Sequence, residues 1–395
     1  CFKHGPPRLL GVELEWLLER PSGARLDLDA LAGALGPHSP TTLDPRSPAL
    51  PLPRGSLVTA EPGGQVELAS PALPDLAALF ETVEADRAEL HQRLAGRDLR
   101  PRPWAADPVG PPQRLLSTPR YVAMETAFDR SGHAGRDMMC STAAVQPCFD
   151  TGERDDVWRR WTLLHAAGPV LLGVFANSPV LNGRRTGWRS SRMACWWALD
   201  ACRTAPPELT ADDPAQAYAR RAMDAYVLCV RRENGAWDTP VGVSFAAWLA
   251  GALPTPPTTA DLDLHLSTLF PPVRAHGHLE VRYLDAQPGP EWVVPVAVLT
   301  ALLSDPVSTT AALEACLPVS GRWVAAARDG LGDPALAAAA RTVFDLARSA
   351  LPGLVGPGPV RDLVERVAEH RVARGRCTAD ETEDARARDE PGGRR

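Results

Sequence analysis

The sequence predicts an α+β fold, a mostly antiparallel sheet packed with helices. Three short stretches alternate apolar with polar residues, as half-buried strands do: LLGVELEWLL (9–18), GGQVELAS (63–70) and HLEVRYL (278–284). The segments between them carry helical periodicity, without the regular strand–helix alternation of a parallel sheet. No internal repeat and no low-complexity linker divides the 395 residues, so one large domain is expected over 1–370.

The elements follow in order. In the first strand Val12, Leu14 and Trp16 share one face, and Glu13 and Glu15 the other. Pro62, Gly63 and Gly64 read as a tight turn, because Pro fixes one φ and Gly supplies a positive one. After that turn Gln65, Glu67 and Ala69 point one way, and Val66, Leu68 and Ser70 the other. PDLAALFETVEADRAELHQRL (74–94) gathers Leu76, Leu79, Phe80, Val83 and Leu90 on one side of a helix. A fourth strand, STAAVQPCFD (141–150), contains Pro147, which cannot donate to a ladder and predicts an edge or a bulge. LLHAAGPVLLGVFA (163–176) is too short to span a bilayer and reads as a buried helix kinked at Gly168-Pro169. Helices are expected at 190–203, capped by Ser190 or Ser191, and at 214–232. Several Ala- and Leu-rich helices should follow between Pro295 and His370. The tail, 371–395, is charged and poor in large apolar residues, and is expected to be disordered.

Composition narrows the function. Lys+Arg 42 against Asp+Glu 48 gives a net charge of −6, which argues against a nucleic-acid partner, and no segment argues for a membrane. Lys3 is the only lysine, so a Schiff-base or phosphate-loop lysine is nearly excluded, whereas arginine recognition of phosphate or carboxylate is open. The 8 cysteines form no CxxC pair, and free thiols in a reducing cytoplasm are the simplest account.

In HLEVRYL, Glu280 and Arg282 oppose Leu279, Val281 and Tyr283. Three strands thus carry glutamate on the face away from their apolar residues. Read singly, each is a strand with its polar side in water. If they share a sheet, Glu13, Glu15, Glu67 and Glu280 crowd one surface with Glu61 at its rim. Like charges facing across strands repel. Hard carboxylate oxygens without Cys or His partners suit Mg²⁺ or Mn²⁺, and such ions in a sheet-lined cup usually serve phosphates. No GxxxxGK[ST], GxGxxG or GxSxG motif competes with that reading, and the HGH of His276–His278 lacks a third zinc ligand. Cys140 and Cys148 read more readily as buried, inert thiols than as nucleophiles.

A second constellation is FANSPVLNGRRTGWRSSR (175–192). Asn177, Asn182 and Gly183 mark a structured loop, with Arg184, Arg185, Arg189 and Arg192 around Trp188. It is either a solvated basic loop or an anion site in which Arg192 adds to the donors of a helix start.

GVELEW, EPGGQVELAS, MMCSTAAVQPCFD, FANSPVLNGRRTGWRSSR followed by CRT, and HLEVRYLDAQP occur in an order that resembles plant- and bacterial-type glutamate–cysteine ligases. They are most similar to the actinobacterial branch that supplies γ-glutamylcysteine for ergothioneine. The resemblance covers most of the chain from Gly5 to Pro290 and implies a six-stranded cup related to the glutamine synthetase catalytic fold. It implies ATP, Mg²⁺, L-glutamate and L-cysteine as the reacting set. Glu13, Glu15, Glu61, Glu67 and Glu280 become candidate metal ligands. Gln146 and Asn177 become candidate substrate-binding residues, and Arg192 and Arg282 candidate catalytic and substrate-binding ones. Ser141 and Cys148 stand where plant-type members carry Arg and Asn. A ligase of the same fold using another amine, and a silent nucleotide-binding homologue, are the alternatives.

Overall fold

Alternation in a few short strands sets the architecture. The computed structural model describes residues 1–23, 26–209 and 213–389. Its main sheet has seven strands: β1 (Leu10–Trp16), β2 (Leu57–Ala60), β3 (Val66–Ala69), β4 (Ala144–Phe149), β5 (Val273–Ala275), β6 (Leu279–Val281) and β7 (Leu284–Asp285). They lie in the order β2-β3-β1-β4-β6-β5, all antiparallel, with β7 continuing the β6 lane along β4.

Register puts the glutamates together. Glu15 pairs with Glu67 and Glu67 with Thr59, while Glu13 lies between Ala69 and Gln146. Cys148 pairs with both Gly11 and Glu280, and Glu280 with Arg274. Directly paired residues share a face, so all of these side chains line one side of the sheet. The opposite face carries Val12, Leu14, Val66, Leu68, Val145, Leu279 and Leu284, each no more than 2% exposed, within the main core.

The fourth strand departs from expectation in an informative way. It is central, not an edge, although it contains Pro147. Val12, opposite Pro147, directs both its backbone groups to the β3 side, bonding Ser70 Oγ and Ser70 N at 3.0 Å each. The missing N–H of Pro147 therefore faces the other neighbour, where pairing breaks between β6 and β7. There Arg282 N turns away to the Pro272 carbonyl at 2.9 Å. A proline costs a central strand nothing where the adjoining ladder has no acceptor to offer.

Helices close the apolar side. Leu76–Ala95, capped by Asp75, buries Leu76, Leu79, Val83, Leu90 and Leu94. The apolar stretch at 163–176 is broken as expected, into Val157–Ala166 and Gly168–Phe175. A side chain on Gly168 would collide with the Trp323 ring, which explains the small residue at the break. Two expected helices end early: Ser191–Trp197 stops before Asp200 caps a new turn, and Pro214–Asp224 stops well short of 232. The helices Val293–Leu302, Pro306–Cys316, Trp323–Asp329, Pro334–Ala350 and Pro359–His370 form the expected C-terminal bundle. Among the described residues no single helix is long and apolar enough to cross a membrane.

The expectation of a disordered tail from 371 is corrected. Val372–Arg374 forms a short turn and Thr378–Asp389 a helix. Cys377, Thr378 and Ala379 are fully buried. Ala379 N donates to the Ala176 carbonyl at 2.8 Å, and Arg371 bonds Glu381 at 2.7 Å and Glu291 at 2.5 Å. Charge richness reflects ion pairing here, not solvation. Residues 390–395 of that expectation lie outside the described residues.

Candidate functional site

The polar face of the sheet is one wall of a cavity of about 300 Å³. Glu13, Glu15, Glu67, Gln146 and Arg274 enter it from the strands, Arg282 from the break between β6 and β7, and Glu61 from the turn after β2. That turn depends on its glycines. A side chain on Gly63 would strike the Cys140 carbonyl oxygen, and Gly64 holds a φ of +84°. Gln65 fastens the turn, its Oε1 accepting from Gly63 N at 2.9 Å and its Nε2 donating to the Met139 and Thr142 carbonyls. Arg120, Tyr121 and Met124 come from the helix Pro119–Phe128, and Met138 and Met139 from Ala134–Ser141. Arg192 and Trp196 come from Ser191–Trp197, and Phe270 completes the wall.

Carboxylates so placed resist ionisation. Glu13, Glu15, Glu61 and Glu67 are half-buried, and their open side faces the cavity. Burial pushes Glu13 up to about 7, with Glu280 adding and Arg282 and Arg274 opposing. Burial, then Glu15, pushes Glu61 up to about 7. Glu67 is driven well above the carboxylate range by burial and by Glu13, Glu61 and Glu15, against one Thr59 hydroxyl at 2.8 Å. Burial also raises Glu15, though Arg192 and Arg282 resist; it accepts from Gln146 Nε2 at 2.8 Å. Glu280 is the exception: burial would raise it, but Arg282 and Arg274 outweigh burial and hold it low. Arg274 donates to both its oxygens, at 2.8 and 3.0 Å, and Arg282 also bonds it.

Glu280 therefore has its charge already matched, whereas the other four share an unmet demand for cations. Among the described residues no group of three or more closes as a preformed metal cage. Carboxylate oxygens without His or Cys partners are donors of the kind a hard divalent cation takes. Among the described residues His276 and His278 join no metal cluster either.

This electrostatic picture has a measurable consequence without metal. A carboxyl whose folded pKa lies above its unfolded value stabilises the fold below the unfolded pKa, and that contribution is lost as pH rises through the folded value. In EDTA, the Glu13→Gln/Glu61→Gln variant should match wild-type stability near pH 5. It should exceed it by about 5 kcal/mol at pH 8, about 2–3 for each carboxyl pushed from 4.5 to about 7. Urea titrations at the two pH values check this; a gap that does not widen with pH contradicts it.

The loop at 175–192 supplies the cavity with Arg192 alone among its arginines. Arg189 bonds Glu383 at 2.9 Å and Asp380 at 2.9 Å, and Arg185 also pairs with Glu383. Arg184 is exposed. Arg192 is 1% exposed and donates to the Arg282 carbonyl at 2.7 Å, so these two of the cavity's arginines are tied together. Both guanidiniums lie over the Trp196 ring, at 4.9 and 5.3 Å from its centroid. Asp285, wholly buried, stands 3.7 Å from Arg192 Nη1. It accepts from Asn177 N at 2.8 Å, Ser178 Oγ at 2.7 Å and Ser190 Oγ at 2.9 Å.

Asn177 is corrected by this arrangement. It is fully buried, and its amide donates to the Pro103 and Ala286 carbonyls and accepts from Thr382 Oγ1. With every polar atom used inside the protein, it is a strut behind Arg192 and not a substrate contact. Gln146 does face the cavity, and its Oε1 is buried with no partner, as are Arg282 Nε and Trp196 Nε1.

Sequence reasoning missed Arg274, Arg120 and the three methionines. Arg274 had a signal, since the short AHGH link between two strands places it opposite Glu280. Arg120 and the methionines had none, because they reach the cavity from helices whose packing no local pattern encodes. Cys140 is buried and pushed up to about 12, chiefly by burial, which makes it a poor nucleophile.

A family model described as glutamate–cysteine ligase family 2 (GCS2) matches residues 9–394. The glutamate–cysteine ligase EgtA of Mycolicibacterium smegmatis is 44% identical over 310 residues, covering 76% of this chain and 73% of that protein. The glutamate–cysteine ligase EgtA of Mycobacterium tuberculosis H37Rv is 39% identical over 343 residues, covering 85% and 78%. A crystal structure of a glutamate–cysteine ligase from Francisella tularensis in complex with AMP superposes with a TM-score of 0.59 at 15% identity. It covers 98% of this chain and 86% of that one, a likeness of fold.

Proposed function

The chain belongs to glutamate–cysteine ligase family 2, and from that premise we propose that it joins the γ-carboxylate of L-glutamate to the amine of L-cysteine at the expense of ATP. The observation that carries the reading is the union of four under-neutralised carboxylates with Arg120, Arg192, Arg274 and Arg282 around one cavity. A site of that kind binds cations and anions together, as phosphoryl transfer to a carboxylate requires.

Glu13, Glu15, Glu61 and Glu67 would hold Mg²⁺, with Glu280 orienting Arg274 and Arg282. Bound Mg²⁺ supplies neutralisation of the charge on the transferring phosphoryl group. In the reaction the γ-carboxylate of glutamate takes the terminal phosphoryl group of ATP, releasing ADP. The amine of cysteine then attacks the acyl carbon and phosphate leaves, so no covalent bond to the protein forms. Arg192 and Arg282, locked to each other, hold the carboxylate or phosphate oxygens in line. The unpartnered Gln146 Oε1 is an acceptor for a substrate ammonium, and Trp196 Nε1 a donor for a substrate carboxylate. The 300 Å³ cavity is too small for all three reactants. A second cavity of about 510 Å³ adjoins it across Glu13, between Lys3, Arg8, Gly11, Cys148 and His278, and supports room for a nucleotide.

All eight cysteines are free, which supports a reducing, cytoplasmic setting. As part of the same proposal, the γ-glutamylcysteine formed feeds ergothioneine synthesis, the role implied by the motif resemblance.

The test is product formation from ATP, Mg²⁺, glutamate and a panel of amines, read by mass spectrometry with phosphate release. γ-Glutamylcysteine with one phosphate per product is expected. A different amine as the sole acceptor would overturn the substrate, and no turnover from folded, Mg²⁺-supplied protein would overturn the activity.

A further inference from the structure

The loop at 175–192 sends Arg192 into the cavity, and two of its other arginines hold the end of the chain. Arg189 bonds Asp380 and Glu383, at 2.9 Å each, and Arg185 also bonds Glu383. Both acids stand on the C-terminal helix Thr378–Asp389, about one turn apart. The same helix meets the start of the loop. Ala379 N donates to the Ala176 carbonyl at 2.8 Å, and Thr382 Oγ1 to Asn177 Oδ1 at 3.0 Å. Ala176, Cys377 and Ala379 pack together, all fully buried. The helix thus ties both ends of one loop from outside the cavity, which none of its described residues lines.

A tether of this kind is either a stability clip or a positioning device, and its points of attachment decide between them. Asn177 N donates to Asp285 Oδ2 at 2.8 Å, and Asp285 is the carboxylate behind Arg192. The Asn177 Nδ2 is spent on the Pro103 and Ala286 carbonyls, so its Oδ1 relies on Thr382. A turn earlier, Thr378 Oγ1 donates to Gln287 Oε1 at 2.7 Å, and Gln287 Nε2 donates to the Asp285 carbonyl at 2.9 Å. The tail therefore braces Asp285 by two routes, one through its carboxylate and one through its backbone. Asn177, Thr378, Asp285 and Arg192 are all at most 1% exposed. Buried, close-packed groups joined by hydrogen bonds transmit a displacement along the chain.

We infer that the C-terminal helix is a positioning element for the cavity, and that Thr382 is the residue through which it sets Arg192. The inference rests on the ligase reading, which gives Arg192 its substrate oxygens, and adds a remote determinant to it. Thr382 touches no reactant; Asn177 and Asp285 carry its effect. Without the hydroxyl, Asn177 Oδ1 is left buried with no donor, and the 177–178 backbone shifts to relieve it. Arg185 and Arg189 acquire a role in the same scheme, as the clamp that keeps the helix seated.

The experiment compares Thr382→Val, which keeps the shape and removes the donor, with Thr382→Ser, which keeps the donor. Each full-length variant is assayed well below its melting temperature, so that all of the protein is folded. In Thr382→Val, kcat/KM for glutamate is expected to fall ~10-fold, short of the ~10²-fold that a displacement of about 1 Å costs. Thr382→Ser should stay within about twofold of wild type, its hydroxyl donating as before. A stability clip would lower Tm and leave the folded enzyme's turnover untouched, so an unchanged kcat/KM in Thr382→Val overturns the inference. So does an equal loss in both variants, which would trace the effect to packing and not to the hydroxyl. Should Thr382→Val fail to fold, Glu383→Gln decides, because it loosens the partly exposed clamp without entering the core. A loss of ~3-fold in kcat/KM is expected there, on the scale of exposed ion pairs, and wild-type kcat/KM overturns the inference. These outcomes leave the ligase reading standing, because wild type still makes γ-glutamylcysteine. Absence of any γ-glutamyl product from wild type removes that reading, and the inference with it.

Discussion

Changing Glu67 to Gln is expected to produce a folded, more heat-stable protein whose turnover falls ~10³-fold, the scale seen when one electrostatic element of a transition-state site is removed. Both effects come from one arrangement. Glu67 sits in register with Glu15 and feels Glu13, Glu61 and Glu15, with Thr59 as its one hydrogen-bond donor among the described residues. Its charge is a burden on the metal-free fold, so a neutral amide of the same shape relieves repulsion and raises Tm. The same charge is what would hold Mg²⁺, so the amide loses the cation and with it the neutralisation of the transferring phosphoryl group. Thermal melts in EDTA and in Mg²⁺, with turnover measured in parallel, check this. Wild type should gain stability from Mg²⁺ and the variant should gain much less. Retained turnover would place the Glu67 carboxylate outside the chemistry. A loss of both stability and turnover would make Glu67 a plain structural residue.

Facing could be read from the sequence, whereas adjacency could not. Strict alternation in GVELEW and HLEV put Glu13, Glu15 and Glu280 opposite their apolar neighbours, and the strands keep that pattern. That these strands lie side by side depends on long-range pairing, which alternation does not encode. Pro147 misled for a related reason: its cost depends on whether the neighbouring lane offers an acceptor, and here the lane is broken at Arg282–Tyr283. Asn177 looked like a ligand because it sits in a polar, Arg-rich loop. Its neighbours in space, Ala286 and Thr382, come from 109 and 205 residues away, and they turn it into scaffold. The tail misled in the same way. Its acids meet Arg185 and Arg189 across the fold and its own Arg371 meets Glu291, and composition cannot show that partners exist.

Removing the Asp285 carboxylate, as Asp285→Ala, is expected to destabilise the fold by about 3–5 kcal/mol, the cost of leaving one member of a buried ion pair behind. Arg192 would keep its charge in the core, and Asn177 N, Ser178 Oγ and Ser190 Oγ would lose their acceptor. Activity should suffer separately, because Asp285 touches no part of the cavity and acts only by fixing the Arg192 guanidinium over Trp196. A double-mutant cycle distinguishes the two losses. Asp285→Ala combined with Arg192→Met removes the stranded charge, so it should recover part of the stability lost by Asp285→Ala alone, as a positive coupling between contacting residues. Turnover should not recover, since the cavity then lacks its buried arginine. Urea titrations give the stability terms, and glutamate KM with turnover gives the functional ones. If the single and double variants were equally destabilised, Asp285 would serve the backbone and hydroxyl donors of the 177–190 loop, and Arg192 would owe its position to Arg282 and Trp196 alone.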